Sequence, residues 1–256
     1  RRMRFAPMSL IVGLFLVGIT VPIAVKDLDL FHAWPADLAV FVQPVFWLAI
    51  VIVGWSLVRR MHRGPEPITM GLRVGWTPAF KGVLIGFACS LPMAALGLIC
   101  GRKEIDYTIV YSTLLPGVIE EILFRAFAFG LLVQAARVRL WPAAIGTGVL
   151  FGLAHLIHAS IRAEPLADQF GWIGMIAAGG LLYAWLYARS AWNLWVVIAL
   201  HASMNLWWEL FELNDSSLGA AGATVSRVLA VGLAIAIVVF GGALRPNDIE
   251  ARSANH

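Results

Sequence analysis

Residues 107–134 read YTIVYSTLLPGVIEEILFRAFAFGLLVQ, an apolar run with Glu120, Glu121 and Arg125 in its middle. As a helix the run rises roughly 40 Å, enough to cross a hydrocarbon core of about 30 Å. Working outward, further apolar runs occupy about 8–25, 38–58, 79–100, 141–160, 170–188, 191–211 and 222–244, which makes eight candidate spans. Composition points the same way: 60% of the 256 residues are hydrophobic and 13% charged, about half the ~25% usual in soluble domains. So few charges cannot cover the surface of a water-soluble chain, and disordered, collagenous, disulfide-scaffold and nucleic-acid-binding proteins are excluded. The expectation is an all-α membrane protein with eight transmembrane helices, one integral membrane domain over 1–256.

Loop charges give the orientation. Thirteen of the 19 Lys and Arg residues lie on one set of ends: Arg1, Arg2, Arg4, Arg59, Arg60, Arg63, Arg73, Lys81, Arg137, Arg139, Arg189, Arg245 and Arg252. The alternate set holds five, namely Lys26, Arg102, Lys103, Arg162 and Arg227, and Arg125 is left inside a span. The positive-inside rule therefore places both termini in the cytoplasm. The first run follows three arginines as a signal peptide would, yet no small-residue cleavage site precedes Lys26, so it reads as a retained helix. Short loops and basic inner connections suit a bacterial cytoplasmic (inner) membrane. The connection 59–78, rich in Gly, Pro and Arg, is expected on the lipid surface. Trp34, Trp141, Trp192, Trp195, Trp207 and Trp208 read as interfacial anchors. Cys89 and Cys100 share one run and form neither a metal motif nor a disulfide spacing, so both are expected in the core.

Ionisable residues at membrane depth cost about 2.5–3.5 kcal/mol each and mark function by default. Three spans carry them: PGVIEEILFR (116–125), FGLAHLIH (151–158) with His155 and His158, and HASMN (201–205) with His201 and Asn205. Pro116 and Gly117 interrupt the first of these runs, and a new helix is expected to begin there. Glu121 and Arg125 are four apart, the favourable order for a helical ion pair, while Glu120 lies about 100° around the helix. This division leaves Glu121 structural and Glu120 available for chemistry. Phe151 and His155 share a face, as do His201 and Asn205. Small residues, Gly146, Gly148, Gly152 and Ala154 in one span and Ala199, Ala202 and Ser203 in the other, predict that these two spans are neighbours. At 1.5 Å per residue, Glu120, His155 and His201 lie about 25, 24 and 18 Å from Arg137, Arg139 and Arg189, depths compatible with one intramembrane site. A lone His158 more often bonds a neighbouring helix than takes part in catalysis.

The order EExxxR, FxxxH, HxxxN resembles the CPBP family of intramembrane proteases, also called the type II CAAX prenyl endopeptidase or Abi family. The matching residues are Glu120, Glu121 and Arg125, then Phe151 and His155, then His201 and Asn205, within a motif-bearing core at about 107–211. The resemblance implies an eight-helix membrane fold and an endopeptidase that cuts near the C-terminus of a membrane-anchored or lipidated protein. It also implies roles: Glu120 activates a water with His155 assisting, and His201 and Asn205 stabilise the tetrahedral oxyanion. Glu121, Arg125 and Phe151 would support them. Independently of the resemblance, a carboxylate can act as base, and an amide and an imidazole can donate to developing charge. No cofactor is expected; the alternative is zinc on Glu120, His155 and His201 with one open position. Expected partners are membrane lipids and a membrane-anchored protein or peptide substrate. The competing readings are a proton-coupled transporter or relay built on Glu120 and the histidines, weakened by the absence of internal repeats, and a non-catalytic bacteriocin-immunity protein.

Overall fold

The structure, a computed structural model, describes residues 2–27, 36–62, 67–100, 107–157, 161, 163–213 and 219–240. Among the described residues every regular element is helical. Helix α1 spans Arg2–Asp27, α2 Ala36–Met61 and α3 Trp76–Cys100. Helix α4, Tyr107–Glu120, passes directly into a π-helical segment, Glu121–Phe129, and then into α5, Gly130–Gln134. Helix α6, Leu140–Ala154, ends in a 3-10 turn, His155–Ile157; α7 is Leu166–Arg189, α8 Leu194–Leu210 and α9 Gly219–Phe240. With 107–134 counted as one rod, these helices fall where the eight apolar runs predict them.

Four helical stretches are long and apolar enough to cross a membrane: Val42–Met61, Trp76–Ile99, Leu166–Arg189 and Gly222–Phe240. Shorter apolar helices cover Ala6–Pro22 and Leu140–Ala154. The helices that carry Glu120, Glu121 and His201 are in neither group, because their apolar length is interrupted by the ionisable residues. Polarity runs inside-out along α9: Ala223, Ser226, Ala230 and Ala234 are buried, while Val225, Val228, Leu229 and Phe240 face outward. Large apolar side chains on the outside and small ones within suit lipid surroundings, where close backbone packing rather than water exclusion drives association. The chain is an integral membrane protein.

The chain forms two compact units: residues 1–70 with 122–185, and residues 71–121 with 186–256. In the second, α3 lies along α8, α4 also packs on α8, and α9 packs on α3. Glycine sets the distances. A Cβ on Gly86 of α3 would overlap the Val196 carbonyl of α8, and one on Gly117 of α4 would stand 2.7 Å from Ala202 Cα. Gly117 is therefore a contact point, and α4 runs straight through Pro116. The helix start expected at Pro116 is thus replaced by a continuous helix, since a proline within an apolar span is tolerated where neighbours re-satisfy the backbone. In the first unit α1 packs on α2 and α5 on α6. There Gly148 of α6 meets Ala177 and Leu181 of α7, with a built Cβ 2.9 Å from the Ala177 carbonyl oxygen. The small residues of α6 and α8 thus seat α7 in one case, and α3 and α4 in the other. They are not spent on the pairing predicted from them.

The connection before α3 does not float on lipid as expected. The Thr69 amide donates to Gln134 Oε1 at 2.8 Å and Gln134 Nε2 donates to the Thr69 carbonyl at 3.0 Å. Two residues on, the Gly71 carbonyl accepts from the Leu194 amide and the Leu72 carbonyl from Trp195 Nε1. Asn193 caps α8 by accepting from the Trp195 amide and donates from Nδ2 to the Pro78 carbonyl. Ala191 and Trp192 reach the cap with φ of 56° and 59°, and Gly71, at φ 72°, leaves no room for a Cβ beside the Trp192 carbonyl. Non-glycine residues in the left-handed region cost of order 1 kcal/mol each, so this turn is held by its bonds. Trp195 and Trp207 are tied to protein rather than to the bilayer rim: Trp207 Nε1 donates to Ser90 Oγ at 2.9 Å and its ring stacks on Phe211. Trp141 remains outward-facing, as an anchor would, and Trp34 lies outside the described residues.

Candidate active site

Glu120 ends α4 and Glu121 opens the π segment, so the two carboxylates leave the rod in different directions. The Gly117–Ala202 contact brings this end of α4 against α8, where His201 precedes Ala202. The two acids then address the two nitrogens of one imidazole: His201 Nδ1 lies 2.7 Å from Glu121 Oε1, and Nε2 lies 3.9 Å from Glu120 Oε2. The short contact is a hydrogen bond from Nδ1–H to the carboxylate, which fixes ring orientation and tautomer and directs Nε2 toward Glu120. A carboxylate on Nδ1 also favours the imidazolium, which would present an Nε2–H donor. Glu121 is fully buried, whereas the Glu120 and His201 side chains are 16% and 12% exposed. Only Glu120 of the two acids is placed to meet a reactant. Asn205 is half-buried one turn further along the same face of α8.

A second group forms in the other unit. The Arg125 guanidinium is buried 4.3 Å over the Phe151 ring and 5.2 Å from that of Tyr183, an aromatic cage for an intramembrane cation. Phe151 also packs edge-on against Phe124 and His155, with centroids 4.8 Å apart in both pairs. At the end of α6 the His155 amide bonds to the Gly152 and Leu153 carbonyls in the tightened 3-10 turn, and the Phe151 carbonyl instead accepts from His155 Nδ1 at 2.8 Å. That bond assigns the proton to Nδ1 and makes Nε2 the basic nitrogen. The FxxxH spacing thus has two uses, a ring contact and a tautomer lock. His158 lies outside the described residues. Glu121 and Arg125 are separated along a π-helical rather than an α-helical turn, so the shared-face argument made from 3.6 residues per turn does not apply to them. Among the described residues no group of three His, Cys, Asp or Glu side chains is placed to hold a metal ion.

Residues 105–207 match the family model described as "Type II CAAX prenyl endopeptidase Rce1-like". The motif-bearing segment is Rce1-like. It spans both acids of α4, the FxxxH of α6 and the HxxxN of α8, so the resemblance read from the motifs holds over the segment that carries them. Among curated proteins, the "Putative membrane peptidase YdiL" of Bacillus subtilis (strain 168) is 29% identical over 184 residues, covering 65% of this chain and 68% of its own length. No solved structure matches the chain. The Rce1-like match and the membrane-peptidase relative support a protease acting on a membrane-associated peptide or protein.

One polar residue escaped the motif reading. Arg227 counts as an outer-loop charge when spans are drawn from hydropathy, but it lies in the ninth position of α9, with its guanidinium carbon 3.4 Å from the Trp208 ring centroid. The spacing Ala223–Arg227–Ala230 is the signal that was available: small residues one turn to either side place the arginine on the packed face.

Proposed function

We propose that the chain is an intramembrane endopeptidase of the glutamate type, cutting a membrane-anchored or lipidated protein near its C-terminus. The observation that carries the reading is His201 set between two carboxylates, one sealed and hydrogen-bonded, the other half-open. In this mechanism Glu120 takes a proton from water as the water attacks the scissile carbonyl, with His155 Nε2 assisting through its defined tautomer. His201 and Asn205 donate to the oxyanion, and Glu121 stabilises the imidazolium that donates best. The protonated Glu120 then delivers its proton to the leaving amine. Both termini are cytoplasmic in this reading, and the membrane is the bacterial inner membrane. No metal is required.

The test is cleavage of candidate membrane substrates by the reconstituted wild type, Glu120→Gln, His155→Ala and the double variant. The single variants are expected to fold and to lose on the order of 100-fold or more in kcat/KM. The double variant should lose little beyond either single one, because the two residues act on one water. Undiminished cleavage by Glu120→Gln would sink the mechanism. Zinc is tested in the same assay: activity should survive 1,10-phenanthroline, and metal analysis of active protein should find no stoichiometric zinc. The transporter reading predicts instead that Glu120→Gln abolishes proton-coupled flux in vesicles with no cleavage by any form.

A further inference from the structure

Arg227 is a cation inside an apolar helix, within the stretch Gly222–Phe240, and the mechanism above does not use it. Its neighbours along α9 at −4 and +3, Ala223 and Ala230, are buried in the cluster against which Trp208 of α8 packs. The guanidinium lies over the Trp208 ring at 3.4 Å. Such stacking holds the plane of the group through its face and leaves its rim, where five N–H donors radiate in a fixed fork, for hydrogen bonds. The fork matches a planar carboxylate bidentately. An arginine at membrane depth carries an insertion cost of about 2.5–3.5 kcal/mol, which a purely structural ring contact need not incur.

The position relative to the site is informative. His201, Asn205 and Trp208 fall at i, i+4 and i+7 of α8 and share one face. At 1.5 Å rise His201 and Trp208 are about 10 Å apart along the helix. Three residues of extended peptide cover about the same ~10 Å. A peptide whose scissile carbonyl sits against His201 and Asn205 and whose next residues run along this face ends at Arg227.

We propose that Arg227, held by Trp208, is a specificity-determining residue that binds the substrate's C-terminal carboxylate about three residues beyond the cleaved bond. The assignment rests on the peptidase reading for the position of the bond, but not for the existence of the carboxylate subsite. An acidic side chain near the chain end offers the same chemistry, and the test separates the two sources.

The measurement is binding of a fluorescent membrane-soluble peptide, as free acid and as C-terminal amide, to the Glu120→Gln protein in nanodiscs. The acid is expected to bind at least tenfold more tightly than the amide. Adding Arg227→Gln should bring that ratio below about two, while Arg227→Lys should keep part of it, since the charge survives and the fork does not. An amide peptide with Asp as its last residue should not recover the affinity; recovery would overturn the chain-end assignment in favour of an acidic side chain. Equal binding of acid and amide to the Arg227-containing protein would overturn the subsite without recourse to any variant at 227. Acid preference in the absence of any cleavage by wild type would leave the subsite standing and reject the peptidase reading alone.

Discussion

His201 is the residue on which the rest of the site turns, because each of its nitrogens faces a different acid. The buried Glu121 partner and the accessible Glu120 partner predict different consequences on neutralisation. Glu121→Gln removes a charged acceptor from a buried imidazole, and it should lower thermal stability by about 1–3 kcal/mol as well as cleavage. Glu120→Gln should leave the unfolding midpoint nearly unchanged and remove cleavage. Unfolding in detergent alongside kcat/KM for both variants checks the distinction, and equal destabilisation by the two would contradict it. Sequence spacing separates these acids, since consecutive helical residues diverge by about 100°. It does not show that the divergence lets them hold two atoms of one ring, because that depends on a partner 80 residues away. Arg227 was illegible for a related reason. Hydropathy draws a span's end at the nearest charge, and only the packing of alanines on either side shows that the charge lies within the helix.

At the scale of elements, close approach is set at a few glycines, and their effects should differ by what surrounds them. Gly117→Val puts a branched side chain against the backbone at Ala202 and should cost about 1–3 kcal/mol, with loss of activity as α4 withdraws from His201. Gly146 has nothing within 4 Å of a built Cβ, so Gly146→Ala should be neutral or stabilising by up to about 1 kcal/mol. Thermal unfolding of both variants beside wild type reads the contrast. Gly71→Ala is expected to destabilise by more than 1 kcal/mol, since it meets both a positive φ and the Trp192 carbonyl. Helix positions were legible in the sequence because lipid demands long apolar runs. Helix partners were not: small residues announce that something comes close without naming it, and the glycines of α6 meet α7. The connection through Thr69, Gly71 and Leu72 was misread because Gly, Pro and Arg describe a loop's composition and not its backbone bonds.

For the whole molecule, the uneven distribution of Lys and Arg predicts a testable topology. Single cysteines at Arg60, Arg189 and Glu164, in a background with Cys89 and Cys100 replaced, should label from the cytoplasm at the first two positions and from outside at the third. Labelling of Arg60 and Glu164 from the same face would refute the even span count. The π segment Glu121–Phe129 has a consequence that reaches furthest along the chain. A π turn holds one more residue than an α turn, as if a single residue had been inserted into the helix without being expelled as a loop. Removing one residue between 121 and 129 would let the rod relax to α-helix and rotate all that follows by about 100°. Gln134 would then turn away from Thr69, and Arg125 from Phe151 and Tyr183. The rod is therefore a counted length, open to exchanges of side chain but closed to single-residue insertions and deletions.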